Sequence, residues 1–330
     1  MKTNSLLFLR AVELAVIASY ELVGKQDKNN LDKKAVDIIN LLLTNHNAKA
    51  KIAIGEGELD EAPMLYQGQT FTNNHPITID IAVDPIEGTS PASKNEEGSI
   101  SCIAIAKNDS MLQIPEMYME KLFIAKKDEG NIDFTKDIKW NLDNLLKIKK
   151  TLKVIILDKP RHQEIIQYME ANKIEVIRIK EGDVLGAIDV VLGRADLLYG
   201  IGGAPEGILM ASLAIATNHI MFNRLVPYQQ IWPSEKETAE RMKIEAKGMQ
   251  LKKLNYDLIL RENDLVKDNN TMFFAASLTG GSLLKPLIVE NNEFIVNSFI
   301  GYNNIYHQIV SRYPIVKDIK YLLTEYSFCK

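Results

Sequence analysis

The stretch Asp84-Pro85-Ile86-Glu87-Gly88-Thr89 sets two carboxylates, a glycine and a hydroxyl within six residues. Hard oxygen ligands suit magnesium or manganese, a glycine lets a phosphate approach the backbone closely, and a hydroxyl can orient water. Together they form the minimum of a metal-dependent phosphoryl site. The same residue types also make an ordinary acidic, solvated turn, so the stretch alone leaves both readings open. Two other stretches repeat the design of a strand running into glycines and acids. One is Ile52 to Glu58, continued by Asp60 and Glu61, and the other is Leu197 to Gly207, with Glu206 near its end.

Further candidates lie between these. Asp32 is either the N-cap of a helix or a metal ligand with Lys28 beside it. Glu56, Glu58, Asp60 and Glu61 crowd charge into one loop that is either solvated or a cation site. In Lys159-Pro160-Arg161-His162, Pro160 suits a first helical turn, but the cations oppose the helix dipole. A bound anion would remove that conflict, so the turn reads as a phosphate site. Glu181-Gly182-Asp183 can receive sugar hydroxyls, or Asp183 can cap the next helix. Tyr118 is either a packed aromatic or a ligand contact. The glycines at 200–203 lack the spacing and the downstream acid of a dinucleotide loop.

Composition narrows the classes. The 330 residues carry a formal net charge of -4 with 25% charged residues, which gives no basic footprint for nucleic acid. The two cysteines, Cys102 and Cys329, form neither a metal spacing nor a disulfide framework, which suits a reducing cytoplasm. The five histidines are scattered, so a metal here is expected on oxygen, not zinc on nitrogen. Arg10, Glu13 and Glu21 interrupt the apolar run from Leu6 to Val23. It reads as a core or interface helix rather than a signal peptide or membrane span, and weakly favours a homo-oligomer.

The elements that must position these residues follow from periodicity. Helices are expected over 5–23, closed by Gly24, and from Asp32 onward. Strands are expected at 51–54, 77–84, 99–106, 151–157, 175–179, 197–201 and from Thr271. Pro85 is expected to end the strand at Asp84, because proline donates no ladder hydrogen bond. Residues 287–289 and 294–300 read as a closing hairpin. A lysine- and asparagine-rich shift over 126–150 divides an α/β chain into two lobes. Residues 1–150 would hold metal and phosphate. Residues 151–330 would hold the sugar and the remote phosphate, with C-terminal strands returning to the first lobe.

The segments GEGELDEAP (55–63), DIAVDPIEGT (80–89), PEMYMEKL (115–122), KPRH (159–162), GDV (182–184) and YGIGGAPEG (199–207) together resemble class II fructose-1,6-bisphosphatase. Asp27-Lys28-Asn29 echoes a further family segment. The central turn alone resembles that of the wider inositol-monophosphatase-like, lithium-sensitive phosphatases. The resemblance implies a layered α/β/α/β/α sandwich and metal-dependent removal of the 1-phosphate of fructose 1,6-bisphosphate. It implies two or more Mn2+ or Mg2+ ions on Asp32, Glu56, Asp84, Glu87 and Glu206. Gly88 and Thr89 would meet the scissile phosphate, and Lys28 and Glu87 would also bind substrate. Tyr118, Lys159, Pro160 and Arg161 would hold the remote phosphate, with Glu181, Gly182, Asp183 and Gly203 around the sugar. Thr89 would orient the attacking water, and Asp60 or Glu58 would relay its proton. The partner is a small sugar bisphosphate, with no nucleic acid and no membrane, in a homo-oligomeric (dimeric or tetrameric) cytoplasmic enzyme. The chain departs from the family at Glu181, where aspartate is usual, and beyond residue 230. A seven-carbon bisphosphate or inositol monophosphate as substrate, or a non-catalytic sugar-phosphate sensor, are the alternatives. The Lys159–Arg161 pair favours a bisphosphate, and the full acid set speaks against a sensor.

Overall fold

A computed structural model describes residues 5–56, 64–233, 238–281 and 284–324. The chain opens with α1 (Ser5–Ser19) and α2 (Lys28–Asn45), then β1 (Ala50–Ile54), β2 (Thr70–Phe71), β3 (Ile79–Glu87), α3 (Thr89–Ser93), β4 (Ile100–Lys107) and β5 (Tyr118–Ala125). Next come α4 (Ile138–Leu146), β6 (Lys153–Leu157), α5 (Gln163–Ala171), β7 (Glu175–Ile179), α6 (Asp183–Val191), β8 (Leu197–Gly203) and α7 (Ala204–Thr217). The last third holds β9 (His219–Val226), α8 (Tyr228–Ile231), α9 (Thr238–Lys252), β10 (Leu260–Arg261), α10 (Glu262–Leu265) and β11 (Met272–Ser277). It closes with β12 (Ile288–Glu290), β13 (Glu293–Tyr302), β14 (Ile305–Pro314) and α11 (Lys320–Thr324).

Two sheets result. The first runs β12-β13-β11-β4-β3-β1-β2, with β14 on β13, and the second runs β10-β9-β5-β8-β6-β7. Helices α1 and α2 bury Leu14, Val16, Ile39 and Leu43 against one face of the first sheet. Helices α6 and α7 fill the space between the sheets, where Ile188, Leu209 and Leu213 share a core with Cys102, Phe123 and Phe273. Helices α4 and α5 cover the far face of the second sheet through Leu142, Leu145 and Ile166. The layers are thus α/β/α/β/α. The chain leaves the first sheet after Lys107 and enters the second at Tyr118, well before the composition shift at 126–150. It returns to the first sheet at Met272. Residues 126–150 instead supply a 3₁₀ turn and α4, which pack on the second sheet. A lobe boundary at 150 would therefore cut the second sheet.

Helix α1 is nearly all buried, including Glu13, whose carboxylate accepts hydrogen bonds from Ser298, Ser311 and Tyr313. Those donors offset the desolvation of the acid and tie the C-terminal strands to the first helix. Among the described residues no helix is long and apolar enough to cross a membrane.

Two local expectations are corrected. First, β3 does not stop at Asp84 but runs to Glu87. Asp84 pairs with Cys102 and Glu87 with Ile100, so three steps on β3 match two on β4. Pro85 sits in that bulge, where no ladder donor is required. The extra residue also shifts the alternation. Val83 and Ile86 both point to the α1/α2 core, so Glu87 comes onto the same face as Asp84 and Ala82, toward α6. Second, α2 begins at Lys28, with Asp27 as its N-cap accepting from the Asn30 amide at 3.2 Å. Asp32 therefore lies in the second turn of α2, not at its N-cap.

Candidate active site

Four acids from four elements line one cavity of about 490 Å³: Asp32 on α2, Glu56 just after β1, Asp84 on β3 and Glu206 in the first turn of α7. The scaffold fixes each one. The Glu56 amide bonds the Leu65 carbonyl at 3.0 Å, which continues β1 beyond its end. Glu206 is set by β8 running directly into α7 with Pro205 in the first turn. A Cβ at Gly203 would lie 2.1 Å from Glu206 Oε2, so a side chain there would push that carboxylate from its place.

The electrostatics are those of acids held against their preference. Burial drives the Asp84 carboxyl well above the usual carboxylate range, and the charges of Glu206, Asp32, Glu56 and Asp183 push it further. Glu206 is raised by burial and by Asp183, with Lys121 opposing. Its Oε2 is buried without a hydrogen-bond partner. An orphaned carboxylate oxygen among like charges is what a divalent cation would satisfy, and an all-oxygen set suits magnesium or manganese. Among the described residues, no three His, Cys, Asp or Glu side chains are set at metal-binding spacing. The four acids border a shared space rather than converge on a point.

Glu87 is buried beside this group and faces α6. Its two oxygens accept the amides of Val184 and Leu185 at 2.7 and 3.0 Å. Burial raises its pKa, as do Asp183 and Asp84. Since Glu87 occupies the first amides of α6, Asp183 does not cap that helix. It pairs with Lys121, a fully buried lysine whose Nζ also donates to the Gly203 carbonyl at 2.8 Å.

A second compartment of about 400 Å³ adjoins the first, sharing Glu116, Met117, Gly203 and Arg241 with it. Tyr118, Tyr228 and Trp232 complete it, and the Trp232 indole N–H donates to the Tyr118 hydroxyl at 2.8 Å. Arg161 lies 5.3 Å from the Tyr118 ring centre and gives Nε and Nη2 to the Ile201 carbonyl at 2.8 and 2.5 Å.

The remaining expected residues are placed as follows. Lys28 is exposed, one turn before Asp32 on the same face of α2. Gly88 and Thr89 open α3, with Gly88 at φ +76° and the Gly98 carbonyl 2.2 Å from where its Cβ would be. Lys159 and Pro160 begin the 3₁₀ turn before α5 and line neither compartment. Glu181 and Gly182 line a different cavity with Gly98 and Arg194. Asp60 and Glu58 lie outside the described residues.

His162 departs from the cationic turn expected of it. It is buried, its Nδ1 bonds the Leu157 carbonyl at 2.8 Å, and its Nε2 accepts the Ile201 amide at 2.9 Å. The accepting Nε2 fixes the proton on Nδ1, so the ring is neutral and serves as a brace for β8. Sequence reasoning gave no role to Lys121, Trp232 or Arg241. Lys121 left a faint signal, a cation leading straight into the apolar run Leu122 to Ala125. Arg241 left none, standing in a polar helix full of charges.

The sequence pattern defining the family described as "Bacterial fructose-1,6-bisphosphatase, glpX-encoded" matches residues 2–310. The chain is 37% identical over 294 residues to the fructose-1,6-bisphosphatase class 2 of Haemophilus influenzae, spanning 86% of this chain and 87% of that one. It is 35% identical over 296 residues to fructose-1,6-bisphosphatase 1 class 2 of Escherichia coli K12, again 86% and 87%. The extragenic suppressor protein suhB of Bartonella henselae overlaps more loosely, with a TM-score of 0.37 and 12% identity over 61% of this chain and 77% of that one.

Proposed function

The chain belongs to the bacterial, glpX-encoded fructose-1,6-bisphosphatase family, and from that premise we propose that it hydrolyses the 1-phosphate of fructose 1,6-bisphosphate with divalent-metal help. The observation that carries this reading is the single cavity bordered by Asp32, Glu56, Asp84 and Glu206, opening into the Tyr118 compartment. One end suits cations with a phosphate, and the other suits the rest of a sugar phosphate.

Asp32, Glu56, Asp84 and Glu206 would hold Mg2+ or Mn2+, with Glu87 contributing the lone pairs its two amide bonds leave over. Such ions, when bound, neutralise phosphate oxygens and lower the pKa of water. The chain's own residues do the rest. Gly88 gives the phosphate close backbone approach, Thr89 orients the attacking water, and Asp60 takes its proton. Lys121 neutralises Asp183 and holds the Gly203 carbonyl, which keeps the floor between the compartments rigid. The Tyr118 compartment receives the remote phosphate, with Arg161 backing the Tyr118 ring from outside it. The exposed apolar residues Ile305, Tyr306 and Val310 on the edge strand β14 support a homo-oligomer. The absence of a disulfide framework in the sequence supports a cytoplasmic setting.

The test is phosphate release from fructose 1,6-bisphosphate with Mn2+ or Mg2+, with and without chelator. Release that requires the metal and stops on chelation is expected. Undiminished release under chelation would refute the metal reading.

A further inference from the structure

Among the described residues, Arg241 is the one cation that lines both compartments. Its position is built rather than incidental. It stands in the first turn of α9, four residues before Glu245, which is buried and accepts the Tyr228 amide with both oxygens at 3.1 Å. Two turns along, a Cβ at Gly248 would lie 2.6 Å from Pro115 Cβ, so α9 rests directly on the segment that leads into β5. These two contacts bring the N-terminal turn of α9 to the junction of the cavities.

The side chain there joins an alternating stack. The Arg241 guanidinium lies 5.0 Å from the Tyr228 ring centre, the Tyr228 and Tyr118 rings are 6.0 Å apart, and Arg161 sits 5.3 Å from Tyr118. Arg161 spends two N–H groups on the Ile201 carbonyl and lines neither compartment. It therefore backs the Tyr118 ring, whereas Arg241 faces the space. The Tyr118 hydroxyl accepts the Trp232 N–H, which leaves its own proton to donate elsewhere. A guanidinium fork and a phenol O–H bordering one compartment form an anion site, and a phosphate group matches the fork in two-point fashion.

We infer that Arg241 anchors the substrate's remote phosphate and so selects a sugar bisphosphate over a monophosphate. This assignment rests on the phosphatase reading above and adds a residue to it. One phosphate is drawn to the acidic cavity by its ions, so the molecule's second phosphate is the group that needs a protein cation. Arg241 supplies it where the acidic cavity opens into the Tyr118 compartment.

The experiment uses the full chain loaded with Mn2+. Arg241→Gln is compared with wild type for kcat and KM on fructose 1,6-bisphosphate. It is also compared for inhibition by fructose 6-phosphate, which carries only the remote phosphate, and by inorganic phosphate. Loss of a charge-assisted pair predicts KM and the fructose 6-phosphate Ki rising about 10- to 100-fold. The kcat and the inorganic phosphate Ki should stay within about threefold, and Arg241→Lys should recover part of the loss. An unchanged KM and fructose 6-phosphate Ki overturns the assignment. So does a fall in kcat at constant KM, which would place Arg241 at the reacting phosphate. If wild type itself releases no phosphate, the parent reading fails instead.

Discussion

The acidic cavity draws one carboxylate from each of α2, the end of β1, β3 and α7, whereas the neighbouring compartment takes rings and a cation from β5, α8 and α9. The first is held against repulsion. Burial and the charges of Glu206, Asp32 and Glu56 push the Asp84 carboxyl up, and one Glu206 oxygen has no hydrogen-bond partner among the described residues. The second carries the opposite charge, with the Arg241 guanidinium against the Tyr228 ring and the Tyr118 hydroxyl accepting the Trp232 N–H. A region whose charges are uncompensated is one that a ligand must complete. The two halves should therefore respond with opposite signs to the same perturbation.

The largest effect is expected at Asp84. Asp84→Asn should lower kcat/KM for fructose 1,6-bisphosphate by about 10³-fold or more, in the range found when a preorganised charge at a reaction centre is removed. The same change should raise the melting temperature of chelator-treated protein, because it deletes a charge that Glu206, Asp32 and Glu56 oppose. A melt that falls with the metal stripped would refute the claim of repulsion. Activity near wild type would remove Asp84 from the chemistry.

Next is the seam between the halves. Lys121 is fully buried, pairs with Asp183 and holds the Gly203 carbonyl. Lys121→Met leaves Asp183 buried without its partner, a change expected to cost roughly 3–5 kcal/mol in denaturant unfolding. Adding Asp183→Asn should recover part of that loss, since the stranded charge goes with it. A single-variant loss under about 1 kcal/mol would show that the seam is not held by this pair, as surface pairs commonly are not.

How far each half could be read from sequence follows the same division. The acids sit in glycine-bearing stretches at strand ends, so local pattern marked Asp84, Glu87, Glu56 and Glu206 as candidates, and the family resemblance made them metal ligands. What pattern could not give was the bulge. A proline normally ends a strand, and only the pairing of Asp84 with Cys102 and Glu87 with Ile100 shows β3 continuing past it. Nor could it tell that Asp27, not Asp32, caps α2, because both aspartates precede an apolar period. The second compartment was barely legible. Arg241 is one charge in a polar helix whose register matters only after Gly248 meets Pro115. Strand β14 is exposed along most of its length, so no buried face imposed a period on its sequence. His162 looked like a third cation because its two partners, the Leu157 carbonyl and the Ile201 amide, are backbone groups that carry no residue signal.

That histidine gives the smallest predicted effect and the clearest contrast. Burial holds His162 at a pKa of about 4, with the nearby charges of Arg161 and Lys159 acting the same way and the Leu157 bond opposing, against an ordinary value of 6.5. Between those two values the unfolded chain binds a proton that the folded ring refuses. Stability contributed by His162 is therefore complete above about pH 6.5 and is lost as pH falls toward 4, by roughly 3 kcal/mol in all. Asp84 runs the other way in metal-free protein. Its folded pKa is raised, so the folded state binds the extra proton and gains stability as pH falls. The measurement is the denaturant midpoint of chelated wild type, His162→Asn and Asp84→Asn at about pH 7 and about pH 4.5. Relative to wild type, His162→Asn should lose less on acidification, and Asp84→Asn should lose more. Protonated His162 would surrender the Ile201 amide, and with it the carbonyl that positions Arg161 behind Tyr118. If the two variants shift in the same direction, the buried histidine behind Tyr118 and the buried acid in the cavity do not titrate in opposite senses, and the account of one of them is wrong.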